Sequence, residues 1–255
     1  MPAEVKILVK GSVNADRVGE MGIERDCPTI TLVRDGEIVM VVDPGVLASQ
    51  QILIDELARE NLTVKDVNFV CVTHSHLDHY RNVGMFPDAK VLEFFGLWTG
   101  DIVEEWFEEL SPNIQVLRTP GHDYSSISLL VNTKEGIVAI CGDVFWKENH
   151  PHNPHDDPYA SDPVKLQESR ELIIKKSQWI IPGHGGMYRS DAETIYIGEV
   201  PQREIHVATI GKCKKCGKEM QKRDRCRCRP DLCIKHCECG LDCQTCGCSH
   251  KIYQK

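Results

Sequence analysis

The sequence lacks any run of about 18 consecutive apolar residues, so no membrane-spanning helix is expected. Its opening, Met1-Pro2-Ala3-Glu4-Val5-Lys6, lacks the positive stretch followed by a long apolar one that marks an export signal, and a cytoplasmic location is the expectation. The compositional bias of a disordered chain is absent too, with 41% hydrophobic and 27% charged residues. Cysteine is scarce before residue 213, where only Cys27, Cys71 and Cys141 occur. These three read as small core residues, Cys71 and Cys141 lying in apolar stretches. The 255 residues suffice for one large α/β domain, or a medium domain with a small appendage.

What is present is unevenly distributed. Ten of the thirteen cysteines fall between Cys213 and Cys248. From Gly211 onward there are 12 Lys and Arg against 5 Asp and Glu, a net of +7 in a chain whose net charge is −8. The residues before Gly211 therefore carry 18 basic against 33 acidic side chains, a net of −15. An acidic body with a basic, cysteine-rich tail predicts two parts, residues 1–209 and 210–255.

The body reads as strands and helices in succession. Val5–Val9 is a strand, and Thr29–Val33 and Ile38–Val42 pair through the hairpin signal Asp35-Gly36. The second run ends in Asp43-Pro44-Gly45, a turn. Ser49 opens an amphipathic helix. Val67–Thr73 has the apolar character of a buried strand and runs directly into His74. Val91–Phe95, Ile114–Arg118, Ser126–Val131, Ile137–Cys141 and Trp179–Ile181 read as further strands, and Val164–Lys176 as a helix. The acidic stretch Thr99–Leu110 also reads as helical, with Glu104, Glu105, Glu108 and Glu109 on a solvated face. Ala192–Ile210 is ambiguous, with partial alternation that suggests a linking strand. Strand ends that carry chemistry point to a sheet sandwich covered by helices.

Thr73–His79 reads T-H-S-H-L-D-H, three imidazoles and a carboxylate within six consecutive positions after a buried strand. Such a density of buried polar groups is costly unless the groups are satisfied. Imidazole and carboxylate suit zinc, iron or manganese. More ligand types stand at later strand ends: Gly121-His122, Gly142-Asp143 and Pro182-Gly183-His184. The glycines permit sharp turns that present the neighbouring side chain.

This ordered set, H-x-H-x-D-H then Gly-His, Gly-Asp and Pro-Gly-His, resembles the metallo-β-lactamase superfamily over roughly Val5–Met187. The resemblance implies a four-layered αβ/βα sandwich, two sheets face to face with helices outside. It implies that His74, His76 and His122 hold one metal, that Asp78, His79 and His184 hold a second, and that Asp143 bridges them. The bridging position is Asp143 and not cysteine, which argues against true β-lactamase activity. His76 in place of a glutamate, with no flavin domain following, argues against the flavodiiron branch. The absence of a long insertion argues against the large nucleic-acid-cleaving branch. The compact domain is closer to glyoxalase II, the lactonases and the metallo-β-lactamase domain-containing protein 1 group, which Gly142–Trp146 also resembles.

Two divalent ions, zinc first and iron or manganese as alternatives, would lower the pKa of a bridging water for attack on an ester, thioester, lactone or phosphodiester. Asp78 is the candidate to orient that nucleophile or take its proton. A nuclease, with the tail holding nucleic acid, is one alternative. A single-iron persulfide dioxygenase, using His74, His76 or His122, and Asp143, is another. In the loop Lys147–Tyr159, His150, His152 and His155 are candidate substrate contacts, against the plainer reading of a solvated loop. Tyr124, Ser125 and Ser126 could line the site or serve the turn, and Trp146 reads as core despite its nearness to Asp143.

In the tail, Cys213, Cys216, Cys226, Cys228, Cys233, Cys237, Cys239, Cys243, Cys246 and Cys248 have the short spacings of a zinc-ribbon-like module. So short a segment buries little core, and structural zinc would supply its folding energy, with an iron–sulfur cluster as the alternative. Lys and Arg crowd its first half, which suggests a nucleic-acid or other anionic partner; a solubility face or a homodimer contact is the alternative. Tyr253 is its only aromatic residue, which weakens a base-stacking role.

Overall fold

The computed structural model describes residues 1–14, 25–148, 157 and 159–190, which fall within one compact unit. The expected boundary at 209, the module at 210–255, the stretch Ala192–Ile210 and the candidates His150, His152 and His155 lie outside the described residues.

Strand β1 (Glu4–Val9) leads to a short ribbon of β2 (Ser12–Val13) and β3 (Asp26–Cys27). β4 (Ile30–Asp35) and β5 (Ile38–Val42) form the expected hairpin, with Gly36 at φ 56°. Helix α1 (Gln50–Arg59) begins after Ser49, whose hydroxyl oxygen accepts from the Gln51 N–H. β6 (Phe69–Cys71), the four-residue helix α2 (Leu77–Tyr80), β7 (Lys90–Glu93), β8 (Gly96–Thr99) and β9 (Ile102–Glu104) complete the first half. The second half runs β10 (Glu109–Ser111), β11 (Ile114–Arg118), β12 (Ile127–Thr133), β13 (Gly136–Ile140), α3 (Pro163–Lys176), β14 (Trp179–Ile181) and β15 (Tyr188–Arg189). Asp162 caps α3 through its carboxylate, and Pro163 takes the first turn, where its missing N–H costs nothing.

One sheet has the order β1-β4-β5-β6-β7-β8-β9, the other β10-β11-β12-β13-β14-β15. β6 runs parallel to both β5 and β7, and β14 parallel to β13; the other pairs are antiparallel. Successive residues of a strand face opposite sides, and here both sides are buried. Val33, Met40, Val42 and Cys71 meet Val116, Leu129, Val131 and Ile140 in a core between the sheets. Leu32, Val41 and Val70 face the other way and pack on Leu53 and Leu57 of α1. Leu130, Ala139 and Ile180 pack on Leu166 and Ile173 of α3. The result is the four-layered sandwich expected.

Thr99–Leu110 is not helical. Gly100 turns at φ 62° so that Ile102–Glu104 folds back onto β8, and Glu109–Ser111 starts the second sheet. The β-branched Ile102 and Val103 favour this pairing over a helix. The acidic side chains Glu104, Glu105, Glu108 and Glu109 are exposed as expected, but along strands and the bend between them.

Leu129 is fully buried between the sheets. Leu129→Ala should destabilise the fold by about 2–5 kcal/mol, read as an earlier midpoint in chemical denaturation. A loss well under 1 kcal/mol would show that the two sheets do not share this core.

Candidate metal centre

Sheet register delivers the site. Parallel pairing of β5 and β6 sets Val42 opposite Cys71, and the Asp43 N–H donates to the Cys71 carbonyl at 2.8 Å. Asp43 and the T-H-S-H-L-D-H segment therefore leave neighbouring strand ends together. Parallel pairing of β13 and β14 sets Ile140 opposite Ile181, so the turns carrying Asp143 and His184 also leave side by side. The Ile127 N–H donates to the Thr73 carbonyl at 2.8 Å, joining the two sheets at the same end. His122 arrives from the turn between β11 and β12.

All seven predicted ligands come together in two sets, His74, His76, His122 and Asp143, and Asp78, His79 and His184. In the first, His76 Nδ1 lies 3.0 Å from His74 Nε2 and 3.1 Å from His122 Nε2. Asp143 Oδ2 is 3.3 Å from His122 Nε2 and 3.8 Å from His74 Nε2. In the second, Asp78 Oδ2 is 3.3 Å from His79 Nε2 and 3.6 Å from His184 Nε2. Asp143 Oδ1 lies 3.3 Å from each of those same two nitrogens. Asp143 thus turns one oxygen to each set. Ligand atoms about 2.0–2.2 Å from a tetrahedral ion stand about 3.3–3.6 Å apart, and the distances here, 3.0–3.8 Å, bracket that spacing.

The outer nitrogens of four imidazoles are tied. The Thr73 hydroxyl donates to Asp43 Oδ2 at 2.7 Å and accepts from His74 Nδ1 at 3.1 Å. Asp43 Oδ2 also accepts from His79 Nδ1 at 2.9 Å, while Oδ1 takes the Thr73 N–H at 2.8 Å. His122 Nδ1 donates to Asp157 Oδ2 at 2.8 Å, and His184 Nδ1 to the Cys27 carbonyl at 2.9 Å. With a proton held outward on Nδ1, each of these rings turns Nε2 inward, where its neutral form presents a lone pair. Two such lone pairs face His76 Nδ1, and one proton there serves both poorly. His79 Nε2 and Asp143 Oδ1 are buried without a hydrogen-bond partner. Lone pairs aimed at one point and orphaned buried atoms fit a metal in each set.

Burial, reinforced by the neighbouring imidazoles, pushes the His74 pKa well below its ordinary value, and burial also lowers that of His76. Burial opposes charge on His79, but Asp143 and Asp43 outweigh it and hold its pKa well above the ordinary value. His184 is raised in the same way, Asp143 overcoming burial. Burial disfavours ionised Asp143, yet His184, His79 and His122 keep its pKa well below the carboxylate range.

A cavity of about 290 Å³ opens over both donor sets, walled by Val13, Asp26, Leu77, Trp146 and Tyr159 beside the ligands. Trp146 is therefore part of the cavity wall as well as buried, which the core reading missed. Tyr124 is exposed and does not line this cavity, while Ser125 and Ser126 are buried turn residues. The orienting residues Asp43, Asp157, Thr73 and Cys27 also went unread. Asp43 stood out only as a turn residue, and its left-handed φ of 49° is invisible in the sequence. A Cβ on Gly183 would stand 1.8 Å from Asp143 Oδ1, so only glycine fits beside the shared carboxylate.

Gly183→Ala should therefore displace Asp143 and lower bound active-site metal by about tenfold or more in affinity; unchanged metal content would refute the packing argument. Because His79 and His184 hold protons more tightly than ordinary imidazoles, an incoming cation must displace them. Metal affinity should rise as pH rises through and above the ordinary histidine range. Calorimetric binding heats should vary with buffer ionisation enthalpy, and heats independent of buffer would contradict this.

The comparisons with known proteins agree with this geometry. The family model described as Metallo-beta-lactamase superfamily matches residues 28–93. Metallo-beta-lactamase domain-containing protein 1 of Xenopus laevis is 32% identical over 212 residues, covering 80% of this chain and 87% of that protein. Among solved structures, a metallo-beta-lactamase-type protein of Thermotoga maritima superposes with a TM-score of 0.58 at 21% identity, over 74% of this chain and all of that one. An N-acyl homoserine lactone hydrolase, solved with N-hexanoyl-L-homoserine at its catalytic metal center, gives 0.55 at 16% identity over 72% of this chain and 93% of that one. At such identities the two structures bear on fold alone. The sequence relative and the assembled donor sets together establish that the chain belongs to the metallo-beta-lactamase superfamily and is a metallohydrolase of that fold.

Proposed function

We propose that the chain hydrolyses small uncharged acyl compounds, namely lactones, esters or thioesters, at a two-ion centre. The observation that carries this reading is the cavity wall. Among the described residues it contains no lysine or arginine, while Asp26 and Asp78 line it beside apolar Val13, Leu77, Trp146 and Tyr159. Beyond the two ions themselves, a phosphodiester would find no cationic side chain there, whereas an acyl chain finds apolar surface. The lactone hydrolase of the same fold, with its acylated product at the metal center, supports the choice. The complete second set, Asp78, His79 and His184, supports two ions over the single-iron persulfide dioxygenase reading.

When bound, two divalent ions acidify a water and stabilise the developing oxyanion. His74, His76 and His122 would hold one, Asp78, His79 and His184 the other, with Asp143 shared. Asp78 stands in the cavity wall, where its carboxylate orients the attacking water and accepts its proton. Leu77, Trp146 and Tyr159 place the acyl group and exclude bulk water.

One observation favours a second reading, a nuclease. Nine Lys and Arg crowd residues 212–229 among the first tail cysteines. In that reading the ten tail cysteines fold the segment around structural zinc, and its charge holds the nucleic-acid backbone.

The deciding experiment offers the full chain, in zinc or manganese, a lactone, ester and thioester panel alongside labelled single-stranded RNA and DNA. A chain carrying both His76→Ala and Asp78→Ala is the control. Acyl turnover that drops about 100-fold or more in that control is expected. Motif-dependent cleavage of RNA or DNA that weakens with salt, without acyl turnover, would replace this proposal with the nuclease.

A further inference from the structure

Asp157, one of the residues that orient the imidazoles, holds more than its histidine. Its side chain is fully buried, although it lies within the loop Lys147–Tyr159, for which a solvated loop was the plainer sequence reading. Its two oxygens do different work. Oδ2 accepts from His122 Nδ1 at 2.8 Å, and Oδ1 accepts the backbone N–H of Tyr159 at 2.9 Å. His122 points its other nitrogen into the first donor set, and Tyr159 walls the cavity, its ring centroid 5.8 Å from that of Trp146. We propose that Asp157 is a positioning residue that couples the first metal set to the aromatic wall, fixing the His122 tautomer with one oxygen and the place of Tyr159 with the other.

The chemistry requires a carboxylate. Both partners are N–H donors, so both Asp157 atoms must accept. Asparagine offers one acceptor and one donor. If its oxygen keeps Tyr159, its amide faces His122 Nδ1, and the ring answers by carrying its proton on Nε2, where it cannot ligate a metal. If its oxygen keeps His122, the amide confronts the Tyr159 N–H and pushes the wall away. Asp43, by contrast, touches His79 directly and His74 through Thr73, so it serves both sets. Asp157 serves the first set alone. The inference rests on the metal assignment and not on the acyl substrate.

The test measures metal and not turnover. Zinc is withdrawn from full-length wild type, Asp157→Asn and Asp157→Glu with a chromophoric chelator, and His122→Ala marks complete loss of the first-set ion. Asp157→Asn should lose one equivalent at about 10- to 100-fold lower chelator strength, while the second active-site equivalent holds as in wild type. Asp157→Glu keeps two acceptors one methylene away and should give an intermediate loss confined to the same ion. In cobalt-loaded protein, Asp157→Asn should lose the visible absorption that His122→Ala loses. Wild-type affinity for both ions in the two Asp157 variants would overturn the proposal. Equal weakening of both ions would overturn it as well, by making Asp157 a support for the whole domain. Should Asp157→Asn fail to fold, Asp157→Glu decides on the same readings. Acyl activity enters none of these outcomes, so the proposal can fail while the substrate assignment stands, and the reverse.

Discussion

One shared carboxylate constrains the whole active end of the sandwich. Asp143 must present Oδ2 to His74 and His122 and Oδ1 to His79 and His184, while almost entirely buried. A carboxylate in such a place is tolerated only with positive charge on both sides. Ions in the two donor sets would supply it; without them the imidazoles must, which is why His79 and His184 hold their protons above the ordinary range. The backbone yields to the same demand. Gly142 turns at φ 47° where a Cβ would strike the Thr73 hydroxyl, and Gly183 leaves room for Oδ1. A methyl group at Gly183 would disturb the shared ligand first, and one at Gly142 the Thr73 hydroxyl that orients His74.

The fold meets this constraint through register. Two parallel pairs, β5 with β6 and β13 with β14, place four chain ends at one end of the sandwich within a residue or two of alignment. Parallel strands need a covering connection between them, and α1 and α3 serve as those connections, packing on the outer sheet faces. The layers that bury apolar surface are thus the same connections that bring the ligands into line. Stability and site geometry are separable in the core, where Leu129 supplies no atom to either donor set, but not at the strand ends, where the Thr73 carbonyl pairs across to Ile127.

The residues of the two donor sets were legible in the sequence because metal binding demands a narrow choice of side chains at close spacing, and His74-x-His76-x-Asp78-His79 has little other use. The hairpin at Asp35-Gly36 and the helix opened by Ser49 were legible from local turn and cap chemistry. The groups that orient the ligands were not. Asp43 meets His79 across 36 positions, Asp157 meets His122 across 35, and the Cys27 carbonyl meets His184 across 157. A buried aspartate that accepts from an imidazole has no local pattern, and a backbone carbonyl has no identity at all. The stretch 99–110 misled for the opposite reason. Its glutamates suit an exposed helix face, but the partner strand that recruits Ile102 and Val103 lies across the turn at Gly100, and pairing outweighs local preference.

The cavity wall and the orienting groups come from the same short segments. Asp26 lines the cavity, and the next residue, Cys27, gives its carbonyl to His184. Tyr159 lines it two positions after Asp157, which holds His122. Leu77 sits between the ligands His76 and Asp78, and Trp146 three residues after Asp143. A change of substrate that moved any of these wall residues by backbone shift would also move a metal ligand or its support. Side-chain replacement at Leu77, Trp146 and Tyr159 escapes that coupling, because none of these side chains supplies a ligand atom to either set. The chemistry of the centre is therefore held by the backbone and buried carboxylates, and specificity is free to vary only in what projects from the wall. Val13, on the ribbon strand β2 and away from every ligand in sequence, is the wall position least tied to the metals.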